Sequence, residues 1–554
     1  MGSIHMIIVE VWEKFKKVAW FLPGFLLYAA YPPMCEAADV LFALAPLMWL
    51  SRQGNAKESA KRWFQSGVFF WAATLSWMPA IVKNGGPWPL VVLGWGALAA
   101  YCAAYFALYG WLSAKYWSWV SSWRGRIVGI LFVEPVLWCG LELVRSRFLG
   151  GFAWNHLGVV PANSGFGAPA ALGGVYLLSA VVVMINGSLA GIAERMIAGI
   201  LARRRMRYDP SALSRWRSLE TLVVFLAVFG IYKVAGLVES TRPHTAAAGF
   251  PLKVALVQRN FPCVFKGPEA DPYPVYGKLL DSVAALKPDL VVLAESAMCE
   301  FGPVDQQGAV KFASFVREKT GAALLAGGTR FEEGLTYNSA ALYRGGRIDA
   351  YDKVHLVPFG EFIPGDKLFP ALQKLAPVGS CTPGELKTLE WVAGSDGASL
   401  GVAICFEDTD SAQVRRLSRT AGALVFITND SWFSDSAEAL AHAWQATARA
   451  IETGLYVVRV GNNGVTGTIA PNGRATWLVD SSGKPLVDAG GTMLDVVELR
   501  PPTGENGGWR GYLTPYAAFG DWPLFAIFAL LIMAMIVVRY KSTRVTWSDT
   551  IGTC

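Results

Sequence analysis

The chain has 554 residues, of which 53% are hydrophobic, 13% are aromatic and only 16% are charged. Soluble domains carry about 25% charged residues, so this composition excludes an ordinary soluble protein and indicates membrane-embedded segments. The formal net charge of +7 does not indicate nucleic-acid binding, because the basic residues form short clusters beside apolar runs.

The apolar runs predict transmembrane helices, which need about 20 residues each to cross a bilayer. Seven predicted spans precede residue 240, near 17–32, 36–50, 64–82, 88–113, 127–145, 172–192 and 218–238. An eighth lies near 522–539. No small-residue cleavage site follows the basic N-terminus, so the first helix is predicted to be uncleaved.

Basic residues cluster in the loops between these spans. The loops around 51–62, 114–126 and 195–217 and the tail beyond residue 539 are basic, and all four fall on one side of the predicted membrane. Cytoplasmic loops carry the excess of Lys and Arg, so this side is predicted to be cytoplasmic. The segment from about 240 to 520 is then extracytoplasmic.

In residues 250–500, short predicted strands alternate with predicted helices, as in an α/β domain. Short apolar runs predict strands at Val254–Val257, Leu290–Ala294, Ala322–Ala326, Ser339–Tyr343, Leu400–Cys405, Leu424–Thr428 and Tyr456–Val460. Helices are predicted at Tyr273–Leu286, Gln306–Lys319 and Ser436–Thr453. The chain thus divides into a membrane domain at 1–240, an α/β domain at 241–510 and a C-terminal helix with its tail at 511–554.

Three polar residues lie where a strand should end: Glu295 after Leu290–Ala294, Cys405 after Leu400–Ile404, and Lys353 in the segment Tyr351–Glu361. In α/β sheets, functional groups gather at the carboxyl ends of strands. Each residue alone has a simpler interpretation, as a helix-start carboxylate, a solvated loop charge and a buried core cysteine. The combination is more informative, because a thiol needs a base or a neighbouring cation to react as a thiolate.

Other ionisable residues are weaker candidates. The eight cysteines form no CxxC pair and no Cys/His cluster with zinc spacing, so no metal site is predicted. His355 could be a base paired with a cysteine or a structural residue of its turn. His442 could be a polar residue on a helix face or a contact at the rim of the site. Glu142 and Arg145, near the end of the fifth span, could form an ion pair within the bundle or contact lipid headgroups.

Three segments carry a family resemblance. Leu293–Ala297, Lys353–Glu361 and Ile404–Glu407 follow the order and rough spacing of the Glu-Lys-Cys triad of the nitrilase superfamily. The HLVPFGE run at 355–361 and the Asn429–Phe433 turn resemble the bacterial apolipoprotein N-acyltransferases in particular. The hydrophobic N-terminal half is also similar to that family, so the resemblance covers nearly the whole chain.

The resemblance implies a role for each site residue. Glu295 would be the general base, Cys405 the nucleophile and Lys353 the cation that stabilises the oxyanion. Glu361 resembles a further essential glutamate of the family, and Glu407 would be a supporting carboxylate.

Some positions depart from the family pattern. Phe406, a supporting residue beside the nucleophile, stands where Tyr is typical, and Gly267 lies near a position where Trp is expected. Leu293 and Ala294 replace the usual Trp-Pro before the glutamate. These changes concern how the acyl chain and the second substrate are held, because Phe and Gly lack the donors of a phenol and an indole.

The resemblance also implies a fold and a reaction. The fold would be a multi-helix membrane bundle that carries an extracytoplasmic nitrilase-like αββα sandwich. The enzyme, in the bacterial inner membrane, would move an acyl chain from a phospholipid through a cysteine thioester to a diacylglyceryl apolipoprotein, without metal or organic cofactor. The alternatives are a membrane-tethered amidase or nitrilase and a non-catalytic lipoprotein-binding protein. The segment Phe359–Thr382 would be a lid or a packed surface loop.

Overall fold

The structure is a computed structural model, and it describes residues 20–53, 55–120, 122–204, 216–241, 250–261, 271–365, 380–391, 398–500 and 513–551. The N-terminal half consists of helices, and an α/β domain follows it. Two further helices end the chain.

The N-terminal half contains eight α-helices over the residues that the structure describes. They are α1 (Phe21–Ala30), α2 (Ala45–Gln53), α3 (Ala56–Thr74), α4 (Trp88–Trp119), α5 (Trp123–Arg145), α6 (Val159–Ala162), α7 (Ala170–Arg204) and α8 (Trp216–Thr241). Four of these, α4, α5, α7 and α8, contain stretches long and apolar enough to cross a membrane. They coincide with the last four spans predicted before residue 240.

The predicted span at 36–50 is wrong as a continuous helix. A 3₁₀ turn at Ala37–Leu41 precedes α2, which has nine residues and is about 13 Å long at 1.5 Å per residue. The side chain of Asn186 on α7 explains the break: its Oδ1 accepts from the backbone nitrogens of Leu44 and Ala45 at 2.8 and 3.0 Å. A polar residue from another helix therefore satisfies the first turn of α2 inside the bundle.

Three other predicted spans correspond to helices with different limits. The first and the last overlap the shorter apolar helices Phe21–Ala30 and Trp522–Val538. The span predicted at 64–82 corresponds to α3, which begins at Ala56 and ends at Thr74, before a 3₁₀ turn at Met78–Asn84. The Asn55 side chain caps α3 by accepting from two backbone nitrogens, which explains the earlier start.

Glu142 and Arg145 both bind the loop that follows α5. Glu142 Oε1 accepts from the indole nitrogen of Trp138 and the backbone nitrogen of Leu157, both at 2.9 Å. Arg145 Nη1 donates to the carbonyl oxygens of Phe152 and Trp154 at 2.7 and 2.8 Å. These buried side chains thus hold the loop that follows α5.

Two helices at the periphery expose many apolar side chains. The last part of the chain forms α13 (Pro515–Phe519) and α14 (Trp522–Ile551), the latter packed on α5. Large apolar side chains are exposed on α8 and α14, namely Leu222, Phe225, Leu226, Phe229, Val234, Leu237, Phe525, Leu530, Met533 and Ile536. A surface this apolar indicates contact with lipid; we define it as the lipid-facing flank.

The α/β domain contains two six-stranded sheets. The strands are β1 (Phe250–Gln258), β2 (Leu290–Leu293), β3 (Ala323–Glu332), β4 (Leu335–Arg344), β5 (Arg347–Asp352), β6 (Leu389–Glu390), β7 (Ser399–Ile404), β8 (Ala423–Thr428), β9 (Val457–Gly461), β10 (Gly467–Ile469), β11 (Ala475–Trp477) and β12 (Gly491–Leu499). The first sheet has the order β12-β1-β2-β3-β4-β5, and the second β11-β10-β9-β8-β7-β6. The central strands β1–β3 and β7–β9 are parallel.

The sheets pack face to face, with helices on both outer surfaces. Val254 and Leu256 of β1 belong to the core between the sheets, while Ala255 and Val257 pack with the helices α9 (Tyr273–Ala284) and α10 (Gln307–Thr320). This alternation follows from the two-residue repeat of a strand. Helices α11 (Ser411–Ser418) and α12 (Glu438–Thr453) cover the second sheet. The predicted αββα sandwich is thus confirmed.

Candidate active site

The structure brings the predicted site residues to one end of the sandwich. Glu295 lies just beyond β2, Lys353 directly follows β5, and Cys405 directly follows β7. Lys353 Nζ lies 3.7 Å from Glu295 Oε1 and 2.8 Å from Glu361 Oε1. Strand ends from both sheets therefore meet around one buried lysine.

Cys405 begins a sharp turn. Its φ angle is 54°, in the left-handed region that non-glycine residues rarely adopt, and it opens the 3₁₀ turn Cys405–Thr409. Backbone strain of this kind is held by the surrounding structure and is common at functional sites.

Glu407 holds this turn in place. Its Oε2 accepts from the backbone nitrogen of Ile404 at 2.8 Å, and its Oε1 accepts from those of Val354 and His355 at 2.7 and 3.0 Å. Burial raises the pKa of Glu407, and these hydrogen bonds oppose that effect. The supporting carboxylate thus links the Cys405 turn to the segment that carries Lys353.

Glu295 accepts two hydrogen bonds. Asn338 Nδ2 donates to its Oε1 at 2.8 Å, and the backbone nitrogen of Asn429 donates to its Oε2 at 2.9 Å. Burial raises the pKa of Glu295, while the charge of Lys353 and these donors oppose the increase. A carboxylate with a raised pKa is a stronger base, which suits proton abstraction from a thiol.

Lys353 and Glu361 form a buried ion pair. Burial favours the neutral form of Lys353, but the two neighbouring glutamates outweigh it and raise the pKa of Lys353. Burial likewise raises the pKa of Glu361, but the charge and hydrogen bond of Lys353 outweigh it and bring that pKa below its usual value. Val357 donates its backbone N–H to Glu361 Oε2 at 2.8 Å. A fixed positive charge therefore stands beside Glu295.

Asn338 is a site residue that sequence reasoning missed. It lies on β4, and its Nδ2 donates both to Glu295 and to Glu361 Oε1, the latter at 2.7 Å. One amide thus fixes two carboxylates with respect to each other. A single asparagine in a strand carries no sequence signal for this role, because the contact depends on the pairing of β4 with β3 and β5.

Phe406 packs the Cys405 turn against the helical half. Its ring stacks with those of Phe152 at 6.1 Å and Trp154 at 6.5 Å, and the His355 ring meets its edge at 5.6 Å. The site is therefore bounded on one side by aromatic side chains from the loop after α5.

The remaining sequence candidates have different outcomes. His355 donates its backbone N–H to Glu407, and its ring packs against that of Phe406. His442 is buried rather than at the rim of a helix face. Gly267 and most of the proposed lid at Phe359–Thr382 lie outside the described residues.

The thiol of Cys405 is protonated at rest. Burial and, to a smaller extent, the Glu295 carboxylate raise its pKa to about 12, while Lys353 opposes the increase. A protonated thiol is a weak nucleophile, so attack requires that a base remove the proton. The arrangement of base, cation and thiol can perform that chemistry on an acyl carbonyl.

Two protein-family models match long parts of the chain. The sequence model of the carbon-nitrogen hydrolase family matches residues 253–498, and that of the apolipoprotein N-acyltransferase N-terminal domain matches residues 23–188. A solved CN-hydrolase superfamily protein from Xanthomonas campestris aligns with 49% of this chain and 98% of its own, at 19% identity and a TM-score of 0.35. The fold and the family matches define a membrane protein with a carbon-nitrogen hydrolase domain.

Two relatives of known family align with most of the chain and identify its family. The chain is 31% identical over 474 residues to the apolipoprotein N-acyltransferase of Geobacter metallireducens, covering 82% of this chain and 84% of the relative. The Methylococcus capsulatus protein of the same name is 29% identical over 91% of this chain and 93% of its own. The chain belongs to the apolipoprotein N-acyltransferase family.

Proposed function

We propose that this enzyme transfers a fatty acyl chain from a phospholipid, through a thioester on Cys405, to the α-amino group of the N-terminal diacylglyceryl-cysteine of an apolipoprotein. The observation that supports it best is a Glu-Lys-Cys arrangement bounded by aromatic residues of the helical half. Both substrates carry lipid anchors, so a nucleophile next to membrane helices suits them. Family membership supports the same acceptor.

The first half-reaction forms the thioester. Glu295 takes the proton of the Cys405 thiol, and the sulfur attacks the ester carbonyl of the phospholipid. Lys353 stabilises the tetrahedral oxyanion, and a well-placed donor contributes about 3 to 4 kcal/mol in such sites. Glu295 then returns the proton to the departing lysophospholipid alkoxide, which leaves the acyl group on sulfur.

The second half-reaction consumes the thioester. The neutral α-amino group of the acceptor attacks the thioester carbonyl, and the nitrogen loses a proton to Glu295. The carbon–sulfur bond breaks, an amide forms, and the proton on Glu295 returns to the sulfur of Cys405. One site serves two substrates in turn, which predicts ping-pong kinetics.

We place the reaction on the extracytoplasmic side of the bacterial inner membrane. The basic loops on the opposite side of the predicted membrane support this orientation. In this proposal, residues 1–240 and 511–554 form the membrane domain, and residues 241–510 the catalytic domain.

Mass spectrometry of the purified full-length enzyme tests the proposal. Given phospholipid alone, the peptide that contains Cys405 should gain one fatty acyl chain that neutral hydroxylamine removes. A diacylglyceryl peptide with a free N-terminal amine should then discharge this chain into an amide. Cys405→Ala should form no adduct, while Cys299→Ala, which removes an exposed cysteine, should behave as the wild type. An adduct lost to water at the same rate with and without the peptide would indicate a hydrolase instead.

A further inference from the structure

A cluster of buried ionisable side chains lies behind the nucleophile turn. Its members are Asp408, Asp430, Glu438, His442 and Arg459, each at most 3% exposed. They come from four separate elements: the turn that begins at Cys405, the turn after β8, helix α12 and strand β9. The mechanism above assigns none of them a role.

His442 occupies the centre of this cluster. Its Nε2 lies 3.1 Å from Asp408 Oδ1, and its Nδ1 lies 3.0 Å from Asp430 Oδ1. A neutral imidazole has one N–H donor and would present a lone pair to one of these carboxylates. Two carboxylate partners therefore fit the doubly protonated, positively charged ring.

Arg459 completes the charge balance. Its Nη1 lies 2.6 Å from Asp408 Oδ2, and its Nη2 lies 3.4 Å from Asp430 Oδ2. Each aspartate is thus shared between two cations. The oxygen and nitrogen atoms of Asp430, Glu438 and His442 are close enough to hold a metal ion. However, a metal would need a lone pair of His442, and the doubly protonated ring that the two carboxylates favour has none.

The cluster contacts both halves of the protein. Asp408 lies three residues after Cys405 in the same 3₁₀ turn. On its other side, the His442 ring lies 5.4 Å from the ring of Trp154, which in turn stacks on Phe406. His442 therefore connects the nucleophile turn with the loop that follows α5.

We propose that His442 is a positioning residue for acyl transfer, which clamps the Cys405 turn against the Trp154 loop and presents a fixed positive charge to the thiol. This inference rests on the proposed role of Cys405 as the nucleophile. Lys353 supplies one cation to the thiol, and His442 supplies a second. Burial and the charge of Glu295 raise the pKa of Cys405, and Asp430 adds to that rise, whereas the charges of Lys353 and His442 oppose it.

Glu438 changes the net charge of the cluster around His442 when it ionises. It lies on α12 one turn before His442, with its Oε1 3.4 Å from His442 Nδ1. Burial and the charge of Asp430 raise the pKa of Glu438 to about 7, while His442 and Arg459 oppose them. Above that pH, Glu438 adds a negative charge beside His442 and offsets part of the positive charge that His442 presents to Cys405. Asp408, Asp430 and Arg459 are the other charged groups that face this pair.

Alkylation of Cys405 by iodoacetamide in the full-length enzyme tests this inference without an acyl donor. The rate is followed by mass spectrometry between about pH 6 and pH 9, because it reports the thiolate fraction. His442→Gln retains a donor but removes the charge, so alkylation should slow about tenfold, the effect of one pKa unit. Glu438→Gln should match the wild type below pH 7 and react about threefold faster above it.

The two variants move the rate in opposite directions, which loss of structure does not explain. Thr447→Val, a nearly isosteric change on α12, is the matched control and should leave the alkylation rate unchanged. Wild-type alkylation by folded His442→Gln would overturn the inference. If that variant does not fold, unchanged or slower alkylation of Glu438→Gln above pH 7 would overturn it. Failure of the wild type to form a thioester with phospholipid would instead contradict the proposed function.

Discussion

Glu295 should determine how the first half-reaction depends on acidity. Only its carboxylate form can take the proton of Cys405, and burial raises its pKa above the ordinary value of 4.5. Activity is therefore complete above the raised pKa and is lost as the pH falls through it. The rate of thioester formation should show a one-proton acid limb with a midpoint above 4.5.

A substitution at Asn338 should shift the midpoint of this acid limb in the pH–rate profile. Asn338→Ala removes a donor from Glu295 and from Glu361, so the carboxylate of Glu295 becomes less stable. We expect the midpoint to rise and the rate above it to fall about tenfold to a hundredfold. Asn472→Ala, which removes an exposed turn asparagine, is the control. An unchanged midpoint in folded Asn338→Ala would argue that Glu295 is not the base.

The sequence predicted the site residues through their position after strands. Glu295 and Cys405 each follow a run of buried apolar residues, and such runs are visible without a structure. Lys353 follows a mostly polar strand, and the family-like segment Lys353–Glu361 identified it instead. The role of Asn338 was not predictable, because it depends on strand pairing. His442 was interpreted as a polar residue of a helix face, since nothing in the sequence places Asp408 and Asp430 against it.

At the scale of single elements, the backbone of strand β3 at Gly327 lies directly against the backbone of Glu295. A Cβ atom at Gly327 would lie 2.5 Å from the Cα atom of Glu295, so the backbone would have to move. We expect Gly327→Ala to lower the rate of thioester formation at least about a hundredfold, since small displacements of a catalytic group are costly.

Gly277 on α9 provides the matched control for this substitution. A Cβ atom there would meet its nearest neighbour at 3.7 Å, an ordinary contact. Gly277→Ala should keep full activity and stabilise the protein by about 0.5 to 1 kcal/mol, because alanine favours the helix. Thermal unfolding in detergent measures the stability. Equal activities of the two variants would contradict the close approach of β3.

A helix or strand could be predicted where its own residues form a recognisable apolar pattern. Seven strands and three helices of the sandwich have apolar runs of the right length, and the structure contains them. Strands β5 and β12 were not predicted, because most of their residues are only half-buried or exposed and form no apolar run. The eight-residue helix α11 was not predicted either. Strands β6, β10 and β11 have only two or three residues and could not be recognised. The span predicted at 36–50 failed because Asn186, distant in sequence, interrupts it.

At the scale of the whole molecule, the orientation in the membrane can be measured directly. Reporter fusions after Arg205 and after residue 541 should report a cytoplasmic position, and a fusion within 300–320 an extracytoplasmic one. The basic loops motivate this expectation. A cytoplasmic signal from the fusion within 300–320 would contradict the proposed location of the reaction.

The lipid-facing flank of α8 and α14 has a consequence for kinetics. An enzyme immersed in lipid through residues such as Phe225 and Leu530 meets its substrates by lateral diffusion in two dimensions. The relevant substrate concentration is then the mole fraction in the bilayer or micelle, not the molarity of the suspension. Added inert detergent should therefore slow turnover at constant bulk substrate, and extra buffer should not. A rate that depends on bulk molarity alone would mean that substrates arrive from water.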